Sequence, residues 1–219
     1  MARKTSVLAL GTRKDAATWE KQCRALGFDV GRVVRKSDPT QDELREYFEV
    51  PAHWLYLGGH FGSLQLLNEA EDTWVLFGRD GVTVQAEKTK VELTKPAKAF
   101  RLDANCEVVL WGGCSVCENR RTIETLRALF GPHVLLGFAG LTGWKMVDAM
   151  LGAGFIKSGH FFDNVAKHVD DADAIVQAWM RAAKKGYGGG NMEDRFRCID
   201  RDGREWKLDK GRIRTGRKF

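Results

Sequence analysis

The chain has 219 residues, 43% of them hydrophobic and 29% charged, with only four prolines, which excludes an extended disordered polymer and predicts one sizeable core. Its five cysteines, Cys23, Cys106, Cys114, Cys117 and Cys198, are odd in number and lack framework spacing, which argues against a disulfide scaffold. No apolar run approaches the roughly 20 residues of a membrane helix, and the stretch MARKTSVLALGTRKD lacks the apolar core of a signal peptide, so no membrane partner is expected and a reducing cytoplasm is the expected location.

In chain order, Ser6 to Gly11 (SVLALG) reads as a buried strand. Asp15 to Leu26 follows as a helix, with Ala16, Trp19, Cys23 and Leu26 at helical spacing and Gly27 as its stop. Phe28 to Val34 is a second strand. Thr40 to Phe48 is a helix opened by Asp38, Pro39 and Thr40, and Trp54 to Leu57 is a third strand. Strand and helix alternating in this way predict a parallel sheet. From Asp72 to Leu102 the pattern turns to β-formers around Asp80-Gly81, an antiparallel insert with a hairpin. Glu107 to Trp111 resumes the buried-strand pattern, Thr122 to Phe130 is a helix and His133 to Phe138 a strand. Trp144 to Leu151 and Asp163 to Lys184 are helical, the second as one long helix. After the Gly-rich run 186–191, a basic segment turns at Asp202-Gly203.

The expected organisation is therefore one α/β domain over residues 1–185, a three-layer α/β/α sandwich with a mostly parallel central sheet. Residues 186–219 form a linker and a basic hairpin packed on the same domain. The formal net charge is +6 and its excess lies after Gly190, in FRCIDRDGREWKLDKGRIRTGRKF. Nucleic acid is thus a partner to weigh, but the alternation of Cys198, Trp206, Leu208 and Ile213 with charged residues favours a packed hairpin with one solvated face.

Ligands of open parallel sheets bind beyond the carboxyl ends of the strands. Two predicted strands run there into paired glycines and then a reactive residue: Gly58-Gly59-His60 and Gly112-Gly113-Cys114. The glycines let the backbone leave the sheet sharply, so His60 and Cys114 are expected at one edge. A free thiol is mostly protonated at neutral pH, and a neighbouring imidazole can take its proton and later return it to a leaving amine. The amides of Gly62 and Cys114 are candidates for an oxyanion hole. Cys114 and Cys117 also form a Cys-x-x-Cys, which leaves thiol redox chemistry or half a zinc site as alternatives. No other Cys/His pair has ligand spacing, and no cofactor or metal is called for. Cys117, Cys23, Cys106 and Cys198 read as core. His53, His133 and His168 read as surface or loop residues, while His160 could line the cleft with Asp163, whose alternative role is helix capping. Asp148 is a second candidate for a negative pocket floor.

His60 precedes Cys114 by 54 residues, close to the roughly 50 found in caspases. On these two motifs the chain resembles the caspase-like cysteine peptidases, and among them the CHAT domain. LFGRDGVTV is similar to the family's strand-turn-strand after the histidine, and ETLRALFGPHVLLGFAGLTGWKMVDAMLGAGF to the helix, strand and pocket loop after its cysteine. The resemblance covers about residues 6 to 184. It implies a caspase-like fold and a cysteine endopeptidase with a His60/Cys114 dyad. It also implies a protein or peptide substrate, for which Gly59 and Gly113 are candidate pocket residues by their place at the strand ends, an activating protein partner, and a place in bacterial defence or regulated cell death. Two departures stand out: Phe61 separates His60 from Gly62, and Gly113 replaces the acidic residue that often precedes the cysteine. The alternative is a catalytically inactive caspase-like module that binds protein or nucleic acid through its basic carboxyl-terminal segment.

Overall fold

The computed structural model describes residues 2–11, 14–62, 64–70, 73–78, 81–85, 106–142, 144–152 and 160–219. The apolar run after Lys4 makes β1 (Lys4–Leu10), buried at every position past the first, as expected of a strand covered on both faces. Parallel neighbours flank it, β2 (Asp29–Lys36) and β3 (Trp54–Gly58). Beyond β3 lie β8 (Val108–Trp111) and β9 (Val134–Phe138), also parallel. Three antiparallel strands complete this sheet: β10 (Phe196–Ile199), β11 (Arg204–Asp209) and β12 (Arg212–Lys218). The order is β12-β11-β10-β9-β8-β3-β1-β2, an eight-stranded mixed sheet, mostly parallel.

Alternate residues along each strand face opposite sides, and helices lie on both. Val7, Ala9, Trp54, Tyr56, Val108, Leu110 and Phe138 pack with α1 (Lys14–Ala25), α4 (Trp144–Leu151), α5 (Phe161–Val165) and α6 (Ala172–Tyr187). Leu8, Leu10, Leu55, Leu57, Val109 and Trp111 pack with α2 (Gln41–Glu49) and α3 (Arg120–Phe130). Local signals set the helix ends. Thr40 and Glu43 form a reciprocal capping box at the start of α2, and Gly27, in the left-handed region at φ 81°, closes the turn after α1.

Three expectations are corrected. The single helix over Asp163 to Lys184 is two, because Asp171 turns its carboxylate onto the amides of Asp173 and Ala174 and starts α6 afresh. The carboxyl-terminal segment is not one hairpin but a three-stranded meander. It turns at Asp202-Gly203 as expected and again at Lys210-Gly211, and β10 pairs directly with β9. The insert hairpin pairs β6 (Trp74–Gly78) with β7 (Gly81–Gln85), Gly78 opposite Gly81, the Asp80 of the expected turn lying outside the described residues, but it belongs to a four-stranded antiparallel sheet that begins earlier, with β4 (His60–Gly62) and β5 (Gln65–Leu67). The rest of the expected insert, 86–102, lies outside the described residues.

Candidate active site

β3 and β8 are adjacent and in parallel register, Leu57 opposite Trp111. His60 lies three residues past Leu57, and Cys114 three past Trp111. The pairing continues one step, with the Gly112 amide donating to the Leu57 carbonyl at 2.8 Å. Both chains therefore leave the sheet together at the carboxyl edge. The turns then touch: a Cβ placed on Gly113 would lie 2.8 Å from the Phe61 Cβ and 3.1 Å from the Gly59 carbonyl oxygen. Gly113 is thus bracketed by the residues on either side of His60. Gly59 and Gly113 are both buried and form the join between the turns.

Phe61 explains how His60 is held. Its ring packs edge-on against Trp111 at 4.8 Å between centroids, and strand alternation in β4 then turns the His60 side chain the other way, to solvent. The His60 imidazole has no hydrogen-bond partner among the described residues. Phe61, the departure from the His-Gly pattern, is therefore the residue that anchors the turn. Gly62 pairs with Gln65 in the β4–β5 hairpin, two residues beyond His60.

Cys114 is half-buried, while Cys23, Cys106, Cys117 and Cys198 are buried. Burial pushes the Cys117 thiol up to about 12, with Arg197 opposing and Glu205 adding to the effect, and raises those of Cys23, Cys106 and Cys198 as well. These four are protonated core residues. The Cys114 sulfur is held by backbone: it accepts from the Thr142 amide at 3.3 Å and donates to the Thr142 carbonyl at 3.2 Å. Ser115 follows in the left-handed region at φ 54° and donates its amide to the Gly140 carbonyl, and the Cys117 amide donates to Phe138. The turn after β8 is in this way stitched to the chain leaving β9. The Cys114 amide itself has no hydrogen-bond partner among the described residues, as a donor kept for an oxyanion would.

Comparison with protein-family models, with curated proteins and with solved structures finds no match.

The remaining candidates fall elsewhere. His160 and Asp163 pair with each other, Nδ1 to Oδ2 at 3.0 Å, across the first turn of α5. The adjacent Phe161 ring lies 6.1 Å from that of Trp54, the first residue of β3, so the pair sits toward the amino ends of the strands and does not join His60 and Cys114. Asp148 accepts from the Thr18 hydroxyl at 2.6 Å between α4 and α1. Two contacts escaped the sequence reading. Thr142 contributes only backbone, which no side-chain motif marks, although its place just past β9 obeys the same strand-end rule. Tyr56 donates to the buried Asp15 carboxylate at 2.6 Å, and its ring leans over Gly58, where a Cβ would come within 2.7 Å of the phenol oxygen.

Proposed function

We propose that the chain is a caspase-like cysteine endopeptidase of the CHAT type, with Cys114 as nucleophile and His60 as proton carrier. The observation that carries this reading is the contact of Gly113 with Gly59 and Phe61, which brings the residues flanking Cys114 and His60 together at the carboxyl edge of paired parallel strands.

In this reading a substrate carbonyl enters between the two turns. Cys114 rotates away from the Thr142 carbonyl, gives its proton to His60, and its sulfur attacks the carbonyl carbon. The tetrahedral oxyanion accepts a hydrogen bond from the Cys114 amide. Collapse breaks the C–N bond and expels the amine, which takes its proton from His60. Water, deprotonated by His60, then attacks the thioester carbonyl, releasing the acid and restoring the thiol. The substrate is a protein or peptide, and no cofactor enters any step.

The test is cleavage of a mixed peptide library by the full chain, read by mass spectrometry. Wild-type and Cys117→Ala proteins cleave a shared subset of peptides, while Cys114→Ala and His60→Ala do not. Cleavage that survives Cys114→Ala overturns the assignment.

A further inference from the structure

The charge of this protein is not spread over its surface. Residues 196–219 hold nine of the 35 lysines and arginines but only four of the 29 aspartates and glutamates, and so account for five of the six units of net charge. These residues are not a loose tail but the outer three strands of the main sheet, ending at β12, whose edge is open and whose Arg212, Arg214, Arg217 and Lys218 are exposed.

Register sets like charges against one another. Arg197 opposes Lys207 across β10 and β11, Lys207 opposes Arg214 across β11 and β12, and Arg204 opposes Lys218. The first two pairs make one row of three cations on neighbouring strands about 5 Å apart, and like charges directly opposite destabilise a sheet. Two carboxylates answer them in part. Glu205 meets Arg197 at 3.2 Å and Arg217 at 3.8 Å, and Asp209 meets Arg214 at 2.9 Å. Among the described residues no carboxylate lies within ion-pair reach of Lys207, Arg212 or Lys218.

We propose that β10, β11 and β12 form a sequence-independent binding surface for the phosphate backbone of nucleic acid. Six of the nine cations are arginines, whose planar fork matches phosphate oxygens in pairs. Lys207, Arg212 and Arg214 share one face of β11 and β12, which suits a polymer charged at every residue. An acidic peptide added to the open edge would instead send alternate side chains to opposite faces. Trp206, the aromatic of β11, is tied by its indole N–H to Asp200 at 2.8 Å, so phosphates rather than stacked bases are the contact. The row also starts beside the candidate active site. Arg197 lies opposite Gly137 of β9, a position where a Cβ would be 2.9 Å from the Cys117 sulfur. The surface stands independently of the peptidase reading.

The test is fluorescence anisotropy of the full chain with a labelled DNA duplex and a single-stranded RNA of about 20 units each. Engagement of about five phosphates of the duplex lowers affinity roughly 500-fold between about 50 and 200 mM salt. Lys207→Glu weakens binding about tenfold or more at low salt and at the same time raises the thermal midpoint, because it replaces two cation–cation oppositions with attractions. Arg212→Glu, at an exposed position, weakens binding without relying on Lys207, and Lys21→Glu on α1 leaves it unchanged. Absence of binding to both probes, binding independent of salt, equal loss in Lys21→Glu, or binding of polyglutamate in place of both probes would overturn the proposal.

Discussion

Gly113 lies so close to Phe61 that a Cβ on the one would stand 2.8 Å from the Cβ of the other. The two turns that carry Cys114 and His60 can approach only because residue 113 has no side chain. Gly113→Ala is therefore expected to push the turns apart, costing about 1–3 kcal/mol as overpacking does and lowering any peptidase activity by far more than the loss of folded protein explains. Urea unfolding and peptide cleavage measured on the same preparation check this, and an alanine variant of full activity contradicts it.

Cys114→Ala and Cys117→Ala should differ in opposite senses. The first removes a half-buried sulfur whose partners are the Thr142 amide and carbonyl, so its effect on stability is about 1 kcal/mol or less, while cleavage is abolished. The second opens a small void in a fully buried site, at a cost of about 1 kcal/mol or more, while cleavage persists. Thermal melts beside cleavage assays separate the two, and the reverse pattern would make Cys117 the nucleophile.

How far the sequence carried the site depends on which feature is asked about. The strand ends were legible because paired glycines after buried runs have few other uses, and the shared edge of His60 and Cys114 followed from parallel topology. The role of Phe61 was not, since it rests on packing against Trp111. β4 and β5 are three residues each, too short to display a period. Asp163 to Lys184 reads as one long helix, and only the Asp171 cap divides it. His160 reads as a residue that could line the cleft, but Phe161 beside it packs on Trp19 and Trp54. The opposed cations of the outer strands appear only once register is known.

The buried thiols predict how stability varies with alkaline pH. Cys23, Cys106, Cys117 and Cys198 all have folded values raised from an ordinary 9.0, with burial as the first cause. Below pH 9 the thiols are protonated in both states and contribute no pH dependence. Above it the unfolded chain releases protons that the folded chain keeps, so unfolding is favoured as pH rises, by up to about 1.4 kcal/mol per pH unit for each thiol. The urea midpoint is expected to fall steeply between about pH 9 and pH 11, and Cys23→Ala to make that fall shallower. A midpoint flat across this range would contradict the burial of these groups.

Tyr56→Phe tests the buried polar contact beneath the site. The phenol donates to Asp15 at 2.6 Å, and removing it deprives a buried carboxylate of a donor, at a cost of about 1.5–3 kcal/mol. Denaturant unfolding should show that loss, whereas an unchanged midpoint would mean that the pair contributes nothing to the folded state.

The most direct measurement is reaction of the full chain with a peptidyl acyloxymethyl ketone, followed by peptide mapping and by the rate of labelling in wild-type and His60→Ala proteins. The account predicts one adduct, on Cys114, forming about 100-fold or more slowly without the imidazole. An adduct on Cys117 or another cysteine, or a Cys114 rate indifferent to His60→Ala, would contradict the pairing of these two residues.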